Sequence, residues 1–270
     1  MKKRLSTIIL VIVMVAGLSL LLYPTVSDYW NSMFASRMVV NYAEATAKMD
    51  DATYNAILNG ARAYNKALFE KRNPYDLTDE DHAAYNEALN PSGNGMIGYV
   101  EISVIHLQLP VYHTVDESVL QQGVGHIEGT SLPVGGPSTH AVLSGHRGLP
   151  SAKLFTDLDR VTVGDTFLLR ILDEELTYEV DQIRVVSPEE LDELKIVEGK
   201  DYCTLVTCTP YGINSHRLLV RGHRIKTDDT GSRVTADAVK IDSILTAPIF
   251  AAPLLLFLLA YLLIRYRKRK

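Results

Sequence analysis

Two long apolar segments near the ends of the chain limit how it can fold. Residues 5–23 form a run of 19 residues without a charge, and residues 244–264 form a second run of 21. A helix needs about 20 apolar residues to cross the hydrocarbon core of a bilayer, so both runs are long enough. The sequence therefore predicts a transmembrane helix near each end and a folded region between them.

The first run has a second interpretation, a secretory signal, because basic residues 2–4 precede it. The apolar part of such signals is about 7–15 residues long, which is shorter than this run. No cleavage site of small residues follows the run, which ends at Tyr23 and is followed by Pro24 and Trp30. These features favour an uncleaved membrane anchor.

The charged residues predict the orientation in the membrane. Eight of the 27 Lys and Arg residues lie in two basic tails, residues 2–4 and 265–270, whereas all 32 Asp and Glu residues lie between the apolar runs. Because basic flanks favour the cytoplasm, both termini are predicted to be cytoplasmic and the middle of the chain extracytoplasmic. The acidic middle region argues against nucleic acid as a partner.

The residue pattern changes once along the middle region. Between residues 28 and 92, apolar residues such as Ala56, Ala63 and Leu68 recur at helical spacing, which predicts two or three helices. Between residues 93 and 226, short β-type runs alternate with Gly, Pro and Asp, which is typical of an all-β barrel or sandwich.

Two short motifs predict helix boundaries in the first of these regions. Asn73-Pro74 predicts the end of one helix, because the residue before a proline avoids the helical conformation. Thr78, followed three residues later by Asp81, is typical of a capping box at the start of the next helix. The predicted domains are an anchor (1–27), a helical segment (28–92), a β domain (93–226), a spacer (227–243), a second span (244–264) and a basic tail (265–270).

The two cysteines have different predicted roles. Cys203 and Cys208 lie on one predicted strand, about 17 Å apart at ~3.3 Å per residue, and therefore on opposite faces. A disulfide needs Cα atoms within ~7 Å, so both are expected to be free. Free cysteines are often small buried apolar residues, which fits Cys203. Cys208 ends the strand before Pro210, and the pattern leaves open whether it is a core residue or a nucleophile beside a loop.

A cysteine nucleophile needs a cationic neighbour that favours its thiolate and an acid–base group for the leaving amine. His140 and His146 share one face of the run THAVLSGH, and small residues around His146 leave room for a substrate. Arg217 and Arg221 share one face of the next strand, and either could stabilise negative charge on a carbonyl oxygen. The pattern alone does not choose between the two arginines, and it favours His146 only weakly.

Longer motifs give the sequence a family resemblance. The run TLVTC at residues 204–208, followed nine residues later by an arginine, resembles the sortase signature. The runs GVGHIEGTSLPVGGPSTHAVLSGHRGLPSAKLFTDLD and TLVTCTPYGINSHRLLVRG resemble class C, the pilin-polymerising branch, as does the layout of spans at both ends. The resemblance covers about residues 73–224.

The resemblance implies a fold and a set of site residues. The fold is a mainly β, closed eight-stranded barrel with short helices, preceded by an N-terminal helical segment and flanked by a transmembrane helix at each end. The implied catalytic residues are His146, Cys208 and Arg217. His126 and His140 lie in family motifs without a catalytic role there. No metal or cofactor is implied.

The resemblance also implies an activity. Such an enzyme is a cysteine transpeptidase that cleaves an LPXTG-like sorting signal and transfers the acyl group to a lysine of another pilin subunit. The implied partners are pilin or surface proteins that bear such a signal. Three alternatives predict a cell-wall precursor as acceptor, hydrolysis by a cysteine protease, and a surface scaffold without catalysis.

A last motif lies before the barrel. Class C sortases often carry an Asp-Pro-aromatic lid over the active site, and Asn73-Pro74-Tyr75 resembles it with an amide in place of the acid. The resemblance implies an aromatic plug formed by Tyr75, whereas a carboxylate contact to the arginine is not expected. The alternative is a simple turn between two helices.

Overall fold

The computed structural model describes residues 2–71 and 73–226. They belong to two compact units, of which the first is described over residues 2–26 and the second over residues 27–226. The predicted spacer, second span and basic tail, residues 227–270, lie outside the described residues. The helices are α1 Lys2–Ala47, α2 Asp51–Glu70, α3 Asp79–Glu87 and α4 Glu117–Leu120.

Helix α1 contains the predicted N-terminal span. Among the described residues, it is the one helix long and apolar enough to cross a membrane, with a mean hydropathy of 2.8 in its most apolar window within Leu5–Ala47. Pro24 lies inside this helix, and membrane helices tolerate proline because neighbouring groups satisfy the freed carbonyl. The helix continues past the expected end of the anchor to Ala47.

Eight strands form one closed barrel in the order β1-β2-β3-β4-β7-β8-β6-β5. The β2–β3 and β4–β7 pairs are parallel and the other pairs are antiparallel. This architecture confirms the predicted eight-stranded barrel. The strands are β1 Met96–Ile102, β2 Leu107–His113, β3 Val124–His126, β4 Thr139–Ser144, β5 Thr166–Ile171, β6 Glu174–Val186, β7 Asp201–Thr209 and β8 His216–Arg224.

Side chains that alternate along each strand fill the barrel. On β5, Phe167, Leu169 and Ile171 are buried in the main core, and the Phe167 ring stacks on Tyr178 of β6 with 5.5 Å between centroids. On β7, Cys203 lies in the same core. Burying an apolar side chain of this size contributes about 1.5–3 kcal/mol, so the alternation fixes which face of each strand points inward.

Tyr42 joins the second half of α1 to the barrel. Its buried hydroxyl donates to the Ile97 carbonyl of β1 (2.8 Å) and accepts from the Leu172 amide after β5 (2.8 Å). Asn31, about three turns earlier in the same helix, donates to the Ser151 carbonyl (2.9 Å). These bonds satisfy backbone groups of the barrel that burial would otherwise leave unpaired.

Helix α2 confirms one of the predicted helices and packs on the barrel by the face that carries Leu58, Ala61, Asn65 and Leu68. Ala56 and Ala63 are exposed. Asn65 donates to the Leu132 carbonyl (2.9 Å) and accepts from the Leu132 amide (2.7 Å). Because this polar side chain is fully paired, it is buried at little cost.

Helix α3 begins at the predicted capping box and is anchored by one tyrosine. The hydroxyl of Thr78 and the carboxylate of Asp81 each bond the other's backbone amide. Tyr85 is fully buried and its hydroxyl lies 2.9 Å from Nδ1 of His126. Nε2 of His126 donates to the Ser131 carbonyl at 2.8 Å, so Nδ1 accepts from Tyr85. His126 therefore has the structural role expected from the sequence.

The burial of His126 predicts a pH-dependent stability. Burial lowers the pKa of His126 to about 4, whereas an unfolded histidine has a pKa near ~6.5. Between these values the unfolded chain takes up a proton that the folded chain does not, so the free energy of unfolding falls as pH falls, by about 1.4 kcal/mol per unit. Urea denaturation of the detergent-solubilised chain at pH 7 and pH 4.5 measures this loss.

Matched variants isolate the contribution of this histidine. His126→Gln should reduce the pH dependence, and His216→Gln, at an exposed position, should leave it unchanged. The dependence should not vanish, because burial also lowers the pKa of His113 and His140. An unchanged pH dependence in His126→Gln would contradict the assignment.

Candidate active site

Cys208 lies at the rim of the barrel, one residue before the end of β7. It is partly exposed, whereas Cys203 on the same strand is fully buried, and both are free. The expected placement on opposite faces is confirmed. Burial raises the pKa of the Cys203 thiol well above its ordinary value. An inert thiol in the core and an accessible thiol at the strand end therefore lie on one strand.

His146 comes level with Cys208 through the parallel pairing of β4 and β7. The last registered pair is Ser144 with Val206, and the Gly145 amide continues it by donating to the Val206 carbonyl at 3.0 Å. The Thr207 hydroxyl donates to the Gly145 carbonyl at 2.8 Å. His146 lies two residues beyond β4, not on the strand as the sequence pattern suggested, and the loop directs it to the same rim.

The loop that carries His146 is closely packed. A side chain at Gly145 would place its Cβ 2.7 Å from the Phe155 ring, so only glycine fits there. The Phe155 amide also donates to the His146 carbonyl at 3.0 Å. These contacts fix the backbone of His146, whereas its side chain is partly exposed.

A carboxylate faces the imidazole of His146. Nε2 lies 3.5 Å from the Glu117 carboxylate of α4, and among the described residues this buried nitrogen has no well-formed hydrogen bond. A hydrogen bond from Gln121, and then the nearby histidine, lower the pKa of Glu117. No sequence pattern pointed to Glu117, because an exposed acid in a short helix resembles any surface residue.

Arg217 is the direct partner of Cys208 across the β7–β8 ladder. Its Nη1 donates to the carbonyls of Asn214 (3.3 Å) and His216 (3.2 Å) in the preceding loop. These bonds hold the guanidinium at the rim. Since arginine has five N–H donors, others remain for a bound group.

Arg221, the alternative arginine, is engaged elsewhere. Its Nε and Nη2 donate to both carboxylate oxygens of Asp181 at 2.9 and 3.2 Å. The guanidinium also lies over the Tyr202 ring, 4.4 Å from its centroid. An arginine held by a bidentate pair and an aromatic face has a structural role, which favours Arg217 as the functional one.

His140, the alternative histidine, is also engaged. Nδ1 donates to the Lys195 carbonyl (2.9 Å), and Nε2 lies 2.7 Å from the Thr204 hydroxyl, from which it accepts. Burial lowers the pKa of this imidazole, so it is held neutral. A buried histidine with both nitrogens bonded is part of the framework, which favours His146 over His140 as the functional histidine.

The Asn73-Pro74-Tyr75 segment forms a turn between α2 and α3. The Tyr75 amide donates to the Asn73 side chain at 3.3 Å, and the Tyr75 ring is partly buried. The ring lies against Gly129, where an added Cβ would be 3.0 Å from it. The segment therefore packs on the loop after β3, and in the described structure the Asn73 side chain bonds within its own turn. Helix α2 ends at Glu70, before the predicted stop.

These elements define the class of protein. A closed barrel that presents an accessible thiol where two strands end, with an arginine across the ladder and a histidine from a neighbouring loop, has the architecture of a cysteine transpeptidase. The sortase domain family matches residues 100–225. The chain belongs to the sortase family, and the resemblance stated from its sequence is confirmed.

Three relatives are particularly informative. The crystal structure of sortase C1 from Streptococcus agalactiae is 50% identical with a TM-score of 0.69, over 71% of this chain and 100% of that chain. A lid mutant of that enzyme is 45% identical with a TM-score of 0.63, over 71% and 99%. Sortase A of Bacillus anthracis is 26% identical over 84% of this chain and 97% of its own length. The structural neighbours are thus class C sortases.

The environments of the two cysteines predict different reactivities. Because Cys203 is fully buried and its thiol pKa is raised, iodoacetamide near neutral pH should modify Cys208 first. Mass mapping of the alkylated chain measures the order. Cys208→Ala should abolish rapid labelling and Cys203→Ala should preserve it. Faster modification of Cys203 would show that the accessible thiol has been misassigned.

Proposed function

We propose that this protein is a membrane-anchored class C sortase in which Cys208 is the nucleophile, His146 the acid–base group and Arg217 the oxyanion donor. The main support for this proposal is that the β4–β7 and β7–β8 registers bring these three residues to one rim of the barrel. Structural neighbours of the sortase C1 type support the class. The proposed substrate is an LPXTG-like sorting signal.

The proposed reaction has two acyl transfers. The Cys208 thiolate attacks the carbonyl carbon of the threonine in the signal, the C–N bond to glycine breaks, and His146 gives a proton to the leaving amine. A lysine amine of another pilin subunit then attacks the thioester and gives a proton to His146, and the C–S bond breaks. The thioester conserves the acyl group between the two steps.

Arg217 has a defined task in this scheme. During each transfer the carbonyl oxygen becomes negatively charged, and a donor placed beside it lowers the barrier. The bonds from Nη1 to the Asn214 and His216 carbonyls hold the guanidinium near Cys208 in advance. Preorganised donors are effective because they need no rearrangement when the charge develops.

The proposed location follows from the N-terminal helix. The apolar part of α1 would anchor the catalytic domain on the outer face of the membrane, with both termini in the cytoplasm and a second span at residues 244–264. The basic tails support this orientation, because Lys and Arg flanks favour the cytoplasm. The acidic region between the apolar runs would then lie outside.

A transfer assay tests the proposed function. The detergent-solubilised chain is incubated with a pilin that carries a sorting signal, and products are separated after boiling in detergent. Wild type should give a ladder of covalent polymers, and Cys208→Ala should give none. Cleavage of the signal by hydrolysis alone, without covalent polymers, would contradict pilin polymerisation.

The two arginines provide a matched pair in the same assay. Arg217→Ala should reduce the rate by about 10²–10³, the usual effect of losing one oxyanion donor. Arg221→Ala should lower the thermal midpoint, because it removes the bidentate pair with Asp181, and should preserve the rate of the folded enzyme. Equal rates for wild type and Arg217→Ala would reverse the assignment.

We further propose that Asn73-Pro74-Tyr75 is a lid over the substrate groove. Ile127, in the loop on which Tyr75 packs, joins an apolar cluster with Val206 and Leu219. Val206 lies on the same face of β7 as Cys208, so the ring would cover the far end of a groove that leads to the thiol. The lid mutant known for the similar S. agalactiae sortase C1 supports this proposal.

The lid predicts opposite effects at two positions. Tyr75→Ala should speed alkylation of Cys208 and cleavage of a short sorting-signal peptide, because the ring no longer fills the groove. Tyr75→Phe, which keeps the ring, should match wild type. Asn73→Asp should slow both reactions, because its carboxylate would accept a stronger hydrogen bond from the Tyr75 amide and hold the lid more firmly. A hydrogen bond to a charged group contributes about 1.5–3 kcal/mol, against about 0.5–1.5 kcal/mol for a neutral one. Unchanged alkylation in Tyr75→Ala would reduce the segment to an ordinary turn.

A further inference from the structure

The residue after His146 is a buried arginine at the rim of the barrel. The Arg147 side chain is only 8% exposed. A buried cation is costly unless it is paired and hydrogen-bonded.

The guanidinium of Arg147 links three parts of the rim. Nη2 makes a short ion pair with Asp159, in the 3₁₀ turn Leu158–Arg160. Nη1 donates to the hydroxyl of Thr209 at 3.3 Å, and Thr209 directly follows Cys208. The guanidinium carbon also lies 5.9 Å from the centroid of the Tyr211 ring. One side chain thus joins the histidine loop to the segment after the cysteine.

Glycine allows the two loops to approach. Gly148 has a φ of +77°, and a Cβ there would lie 3.0 Å from the Tyr211 ring. Its amide donates to the Thr156 hydroxyl at 3.0 Å. The loop is therefore held by Thr156 and lies against the Tyr211 ring, which the Arg147 guanidinium also faces.

We infer that Arg147 is a positioning residue that sets the placement of His146 relative to Cys208. This inference rests on the proposed function, in which His146 must exchange protons with two different amines beside the thiol. A misplacement of about 1 Å can cost about 10² in rate. The planar guanidinium meets a carboxylate and a hydroxyl together, whereas an ammonium is a single point charge. Arginine is thus the side chain that ties both loops.

Kinetics of signal-peptide transfer test the inference. Arg147→Met should lower kcat by about 10². It should leave KM nearly unchanged, because the apolar residues of the proposed groove, Val206 and Leu219, are not altered. Arg147→Lys should recover part of kcat. The pH dependence of Cys208 alkylation should also change in Arg147→Met, an effect that a loss of stability alone does not produce. Arg160→Met, at an exposed position in the same 3₁₀ turn, should match wild type in all three.

A second variant keeps the test decisive if Arg147→Met does not fold. Thr209→Val removes one partner and should lower kcat several-fold. Its effect should be smaller in an Arg147→Lys background, because residues in one network are not additive. A kcat for Arg147→Met or Thr209→Val equal to that of Arg160→Met would overturn the inference. Absence of transfer by wild type would instead overturn the proposed function.

Discussion

The parallel pairing of β4 with β7 is the contact on which the candidate site depends. It joins residues 62 positions apart in the chain, as in the bond from the Thr207 hydroxyl to the Gly145 carbonyl. Parallel neighbours need a long crossover, and here the crossover contains β5 and β6, which close the other side of the barrel. The β4–β7 pairing therefore both closes the barrel and assembles the rim, and a slip of one residue between the two strands would separate His146 from Cys208.

Burial divides the chemically capable residues into two groups. His126, His140 and Cys203 are buried, with satisfied hydrogen bonds or a raised thiol pKa, and they hold the wall of the barrel. Cys208 and His146 lie where β7 and β4 end, and there the strands leave side chains partly exposed. Histidine and cysteine therefore have structural roles inside the barrel wall, and they are candidates for catalysis only at the rim.

The helices before the barrel pack on it through apolar residues, and each is also held by hydrogen bonds from one residue. Tyr42, Asn65 and Tyr85 each bond backbone or imidazole groups of the barrel. The proposed lid lies between α2 and α3, and both helices are fixed in this way. Its position is thus set by the two helices, and the Tyr75 ring contributes packing on Gly129.

Sequence periodicity and composition determined several features without the structure. They gave the N-terminal apolar helix, the strand-rich region and the opposite faces of Cys203 and Cys208, because these depend only on the local direction of side chains along a helix or strand. The TLVTC motif and the arginine after it indicated the family and, through it, the barrel. Periodicity indicated helix α2 but not the burial of Asn65, because that burial depends on its hydrogen bonds to Leu132, a residue distant in sequence.

Only the tertiary structure separated residues that share a local pattern. Arg221 has a partner in Asp181 from β6, and His140 has one in Thr204 from β7, so these residues differ from Arg217 and His146 by contacts distant in sequence. Glu117 and Arg147 gave no sequence signal, because their proximity to the site follows from how loops meet at one rim. Local pattern sets which way a side chain points, whereas the long-range register of the barrel decides what it meets.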